Sequence, residues 1–201
     1  MAESFFGFSP ESFEQFARAL SMAVFGPGVR AFGNGPDGGR EAAFRGVVQY
    51  PAPPDNCWDG YGVIQAKCKE KAESTKVDQA WALRHLKAEL DAFVDSEVRQ
   101  PKPDYYVFIT NVELSSAAGG GKDKADALLD SYYDKLPLKG HAVWDANELT
   151  PRLACHESIR RRFREFLTTG DILSAMLAEI EGRQPNATRI LSTFLERELR
   201  A

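Results

Sequence analysis

The sequence predicts an α/β fold: a mixed central sheet flanked by helices, with a helical C-terminal extension. Three observations predict it. Apolar residues recur at helical spacing in two long segments that begin near residues 10 and 77. Short β-rich runs, bounded by glycine and proline, stand around the second of these. The resulting order, α-β-β-β-α-β-α-β and then helices, is that of a sheet covered by helices.

Ser9-Pro10 suits a helix start, because serine satisfies orphan amides and proline is tolerated at the first helical position. Phe13, Phe16, Ala17, Leu20, Ala23 and Val24 then form one apolar stripe, and Gly26-Pro27-Gly28 ends it. Residues 29–32 read as a short strand. The run from Gly33 to Gly39 reads as a turn-rich loop, and 42–48 as a second strand. Pro51, Pro53 and Pro54 mark a connector before a third strand over 61–68, which predicts an antiparallel pair. A helix over 77–95 places Ala80, Leu83, Leu86, Leu90, Phe93 and Val94 toward the core. Tyr105–Val112 is apolar on both faces, as a buried strand should be. A helix over 123–135, a short strand over 141–144 and helices over 149–169, 171–181 and 187–200 complete the chain. These divide it into a main domain over 1–169 and a helical extension or linker over 170–201.

With 201 residues, 43% of them apolar and 27% charged, the chain is long enough for one mid-sized core and excludes wholesale disorder. No apolar run is long enough to span a bilayer, and the first ten residues lack the pattern of a secretory signal. Cys57, Cys68 and Cys155 match no zinc spacing and suit a reducing compartment. A cytoplasmic protein is expected. The net charge of −4 does not advertise a nucleic-acid binder, so any polyanion must be held by a local basic surface.

The informative segment is Asp37-Gly38-Gly39-Arg40-Glu41, followed 24 residues after Glu41 by Gln65-Ala66-Lys67. Residues two apart on a strand share a face and stand about 6.6 Å apart. Gln65 and Lys67 therefore point the same way. Pairing of the two strands gathers one or two carboxylates, an amide oxygen and an ammonium. Hydrolysis of a phosphodiester needs such a set: hard oxygens for Mg²⁺, with a lysine to orient water or neutralise developing charge. A lysine beside carboxylates favours electrostatic help over base action.

These residues resemble the PD-(D/E)xK nuclease superfamily, and within it the Mrr-like restriction endonucleases, which carry D-G-G-x-D on one strand and Q-x-K on the next. Glutamate stands at 41 where aspartate is usual, so either Asp37 or Glu41 is the main metal ligand. Glu14 falls where an extra acid is often found on the first helix. The segments Phe108–Val112, His141–Asp145 and Ser158–Leu173 resemble the N-terminal effector domains of antiphage STAND NTPases. The resemblance implies a restriction-endonuclease-like core and Mg²⁺-dependent cleavage of double-stranded DNA with low sequence specificity, Mn²⁺ being able to substitute. It also implies an NTPase and sensor region joined to the chain, with homo-oligomerisation on activation and no membrane partner. Asp37, Glu41 and Gln65 are then the metal ligands, Glu14 an auxiliary acid and Lys67 the water-orienting residue. Two alternatives stand beside this: a catalytically silent DNA-binding or assembly module, favoured by Glu41, and an RNA-directed nuclease.

Arg40, Lys69 and Lys71 are candidate DNA contacts, Lys69 on the condition that its strand persists beyond Lys67. Solvated side chains are the competing reading for these and for Glu14. Gly119-Gly120-Gly121-Lys122 is not a Walker loop: Ser116 replaces the first glycine, and Asp123 follows the lysine. His85, His141 and His156 have no ligand spacing.

Overall fold

In a computed structural model, residues 5–31, 41–52, 56–97, 99–163, 166, 173, 176 and 177 are described. The chain divides into two compact units, Met1–Ile159 and Arg160–Ala201. The first carries all of the sheet. In the second, Leu173, Met176 and Leu177 are helical. The rest of the helices expected over 171–181 and 187–200 lies outside the described residues, as does the expected boundary at 169/170.

A single 3₁₀ turn, Phe5–Gly7, leads into α1, Pro10–Phe25. Ser9 caps it as the sequence predicts: its hydroxyl accepts from the Ser12 amide at 3.2 Å, and the Ser9 amide donates to the Ser12 hydroxyl at 3.0 Å. Phe13, Phe16, Ala17 and Leu20 are fully buried. Each phenylalanine stabilises the fold by roughly 2–3 kcal/mol through area removed from water. The expected stripe departs in its last turn, where Ala23 is exposed and Phe25 is buried instead. The Phe25 ring stacks on Phe44 at 5.4 Å and on Trp144 at 5.3 Å, and this aromatic cluster fixes which side of the helix end turns inward.

Five strands form one sheet in the order β1-β2-β3-β4-β5. β1 is Arg30–Ala31, β2 Ala42–Ala52, β3 Asn56–Lys67, β4 Tyr105–Thr110 and β5 Gly140–Trp144. The first three are antiparallel, and β3, β4 and β5 are mutually parallel. The β2–β3 hairpin is longer than the proline-rich connector suggests. After a register shift beyond Val48, Pro51 still pairs with Cys57 and Ala52 with Asn56. Gly62, opposite Phe44, is required there: a Cβ on Gly62 would lie 2.0 Å from the Phe44 ring.

Two helices make the parallel crossovers, α2 (Thr75–Asp95) between β3 and β4 and α3 (Gly121–Asp130) between β4 and β5. Leu86, Leu90 and Phe93 of α2, with Ala125 and Leu129 of α3, pack with Ala43, Tyr61, Val63, Tyr106 and Phe108 of the sheet. Ala80, expected inside, is exposed, and Ala82 takes its place. Strand alternation assigns Ala42, Phe44, Ile64 and Ala66 to the opposite face, which α1 covers. The first unit is thus three layers deep, and β4 is buried along its whole length, as predicted.

Where a helix is expected over 149–169, the described residues form α4 (Ala146–Ala154) and α5 (Glu157–Arg162), and residues 164, 165 and 167–169 lie outside the described residues. Asp145 accepts from the Glu148 amide at 3.1 Å and starts α4 earlier than its apolar pattern does. The α3 helix ends at Asp130, and turns continue to Lys135. Among the described residues no helix is long and apolar enough to cross a membrane.

Candidate functional site

The antiparallel register begins with Ala42 opposite Ile64 and Ala43 opposite Val63, and Glu41 stands one residue before β2. The Glu41 amide donates to the carbonyl of Ile64 at 3.1 Å, the residue already opposite Ala42, so Glu41 sits out of register at the start of the hairpin. Because Val63 and Ala43 face α2, strand alternation puts Gln65 and Lys67 on that same face, and the Glu41 carboxylate is close enough to act on the hydroxyl of Tyr106, the partner of Gln65. The structure therefore brings together three of the residues that the sequence singled out, under the cover of α2.

Gln65 is completely buried. Its Oε1 accepts from the Tyr106 hydroxyl at 3.2 Å, while its Nε2 has no hydrogen-bond partner. An orphaned buried donor costs about 1–3 kcal/mol. The two ends of an amide exchange places by a half-turn. In the turned state Nε2 donates to the Tyr106 oxygen and Oε1 takes the orphaned position, an acceptor suited to a cation. Glu41, 9% exposed, is the carboxylate whose charge reaches the Tyr106 hydroxyl bonded to Gln65.

Lys67 leaves the sheet toward α2, and its Nζ lies 2.8 Å from Oε1 of Glu89. Oε2 of the same carboxylate takes Arg99 Nη1 at 2.9 Å. Burial pushes the Glu89 carboxyl up, but the hydrogen bonds and charges of Lys67 and Arg99 outweigh it and hold the group below the usual glutamate range. Tyr106 lies within reach of the same field. Burial drives its hydroxyl far above the usual phenol range, Glu89 and Glu41 act in the same direction, and Arg99 opposes them. Tyr106 therefore stays protonated, a hydroxyl able to donate or to accept. On the next turn of α2, His85 is held below the usual histidine range by burial first, then by Arg84 and Lys67, with Glu89 opposing.

The other expected members are placed differently. Asp37 and Arg40 lie outside the described residues. Glu14 stands on α1, in the layer across the sheet, paired with Arg18 at 3.5 Å and close enough to Cys68 to raise its thiol. The structure does not bring it to the Glu41–Gln65 face. Since β3 ends at Lys67, Lys69 does not continue its alternation. Lys69 is buried, and its ammonium is taken up by Glu73 at 2.6 Å and Asp78 at 2.8 Å. Asn111 pins its backbone, Oδ1 accepting from Lys69 N at 2.8 Å and Nδ2 donating to Lys69 O at 2.9 Å. That leaves Lys71 as the exposed cation of the turn. Lys122, after the glycine run, pairs with Glu148 at 2.8 Å and serves the packing of α3 and α4.

Sequence reasoning missed Glu89, Arg99 and Tyr106. A signal existed for Glu89: it sits one residue before the core position Leu90, on the flank of the α2 apolar stripe. Tyr106 was read only as apolar filling of a buried strand.

The donor set fits a hard divalent cation in kind. Glu41 offers a carboxylate and Gln65 an amide oxygen, and among the described residues no group of three histidine, cysteine or acidic side chains that could hold a metal ion is present. No family profile, curated protein or solved structure matches the chain.

Proposed function

We propose that this chain is a metal-dependent endodeoxyribonuclease with a restriction-endonuclease-like core, cutting double-stranded DNA with little sequence preference. The observation that carries the reading is the placing of Glu41, bonded through its amide to the Ile64 carbonyl, beside the buried Gln65, with Lys67 one alternation further along β3. The strand order, an antiparallel hairpin followed by two parallel strands, is compatible with such a core.

In this reading Glu41 and the Gln65 amide oxygen hold Mg²⁺ or Mn²⁺, with Asp37 as a further ligand and Glu14 as an auxiliary acid. The cation, when bound, supplies a water of lowered pKa and screens the phosphate charge. Lys67 orients that water and neutralises charge building on the non-bridging oxygens. The water oxygen bonds to phosphorus, the phosphorus–oxygen bond to the leaving sugar breaks, and the leaving oxygen takes up a proton. Tyr106 bonds whichever end of the Gln65 amide is turned away from the cation. No base-reading element is evident, and backbone contacts alone carry no sequence information. The resemblance to antiphage effectors makes this chain the nuclease portion of a longer defence protein with NTPase and sensor regions.

The test is conversion of supercoiled plasmid to nicked or linear DNA in Mg²⁺, with RNA digested in parallel. Lys67→Ala and Glu41→Gln should each reduce the rate by ~100-fold or more while the protein stays folded. Undiminished nicking by Lys67→Ala contradicts the reading, and faster digestion of RNA moves the substrate class.

One observation favours a second reading, a catalytically silent DNA-binding or assembly module: Lys67 is already neutralised by Glu89 at 2.8 Å. Calorimetry separates the two. A silent site takes up no Mn²⁺ in a manner sensitive to Glu41→Gln.

A further inference from the structure

We propose that a cleft between Arg30, Arg45 and Tyr61 is a second anion subsite, holding a backbone phosphate of the DNA strand that is cut at Glu41 and Gln65. The proposal rests on the nuclease reading and adds a place where the substrate is gripped. The cleft has a volume of about 230 Å³ and is lined by Gly28, Arg30, Ala43, Arg45, Tyr61 and Pro101, among others.

Arg45 is the central cation. It faces Tyr61 directly across the β2–β3 pair, and its guanidinium carbon stands 4.6 Å from the ring centroid. Stacking of this kind holds the guanidinium plane in place and leaves its edge N–H groups to bind a planar or tetrahedral anion. Arg30 enters from β1, the strand paired with β2. Both arginines are exposed, and among the described residues neither is within ion-pair distance of a carboxylate. The acid that feels Arg45 is Asp104. Its oxygens are already committed, to the Tyr61 amide at 2.8 Å and to Lys139 at 3.0 Å. Two arginines that form no ion pair among the described residues therefore share one concave site with an aromatic ring.

Its position connects it to the candidate centre. Ala43 and Arg45 alternate along β2 and so share a face, Ala43 lines the cleft, and Glu41 stands one residue before the start of the same strand. Four residues of strand span about 13 Å, a few nucleotides of a strand that rises ~3.4 Å per phosphate. A DNA strand lying along β2 reaches both places at once.

Fluorescence anisotropy of a labelled duplex, with the full chain in EDTA so that nothing is cut, tests this across about 50–200 mM salt, where the Debye length is on the order of 10 Å. The double variant Arg30→Ala/Arg45→Ala should bind ~10-fold more weakly and reduce the slope of log K against log salt by about 2. Arg45→Lys should keep the slope and lose part of the affinity. Circular dichroism checks that each variant is folded. Wild-type affinity and slope in the double variant overturn the proposal. Inorganic phosphate binding the wild type as tightly as the duplex does overturns the assignment to a strand. Failure of the nuclease reading shows separately, as plasmid cleavage that survives Lys67→Ala, and leaves an arginine-dependent binding result standing.

Discussion

Lys67 Nζ and Glu89 Oε1 stand 2.8 Å apart, joining the last residue of β3 to the middle of α2, and Arg99 closes the cluster on the other carboxylate oxygen at 2.9 Å. Two cations share one anion, so removing the anion leaves both uncompensated. Glu89→Ala should cost roughly 2 kcal/mol, below the ~3–5 kcal/mol of a fully buried pair because all three side chains keep some contact with solvent. Urea unfolding measures it. The pair also sets a pH dependence. The Glu89 carboxyl is held below its usual value of 4.5, so its contribution is complete above that pH and is lost as the pH falls through the folded value. The stability difference between wild type and Glu89→Gln should therefore be flat from pH 8 to about 5 and shrink on further acidification. A difference that grows in acid contradicts the assignment.

Gln65 and Tyr106 form a buried polar pair in which one donor is unmatched. Replacing either alone exposes the other: Gln65→Met leaves the Tyr106 hydroxyl without a partner. Replacing both, as Gln65→Met/Tyr106→Phe, removes the unmatched group with little change in volume. The double variant should gain about 1–2 kcal/mol, and a chain of this size should melt roughly 3–6 °C higher. The same variant should lose Mg²⁺-dependent cleavage. A stabilised, inactive double variant is the signature of a polar pair kept for chemistry. A destabilised one means that the pair is a packing element.

The Cys68 thiol is pushed up to about 12, by burial first and then by Glu70 and Glu14. Thiolate is the reactive form, so at pH 8 Cys68 should alkylate last of the three cysteines, with exposed Cys155 modified first. Mass spectrometry after timed iodoacetamide treatment reads the order. Glu14→Gln should speed Cys68 modification modestly. No change in rate would mean that the Glu14 carboxylate does not sit at the end of β3.

Much of this arrangement was legible in the sequence. Alternation and helical spacing are local rules, and they gave the order of elements, the Ser9 cap, the buried β4 and the shared side of Gln65 and Lys67. Errors concentrated where tertiary contacts decide. The Phe25 cluster turned the end of α1, Asp145 advanced the start of α4, and the Asn111 clamp with Asp78 and Glu73 drew Lys69 inward. The partner of Lys67 was hidden for the same reason. Glu89 is 22 residues away, on an element whose rotation about its axis periodicity fixes only coarsely. Glutamate at 41 was visible, but its bond to the Ile64 carbonyl, just before the first paired residues, depends on how the hairpin begins.

The most direct measurement is anomalous diffraction from a crystal of this chain soaked in Mn²⁺, which needs no catalytic turnover. The account predicts a peak within coordination distance of both the Glu41 carboxylate and the Gln65 amide oxygen, with the amide turned so that Nε2 meets the Tyr106 hydroxyl. A saturated soak with no peak between β2 and β3, or with Mn²⁺ bound only elsewhere, contradicts it.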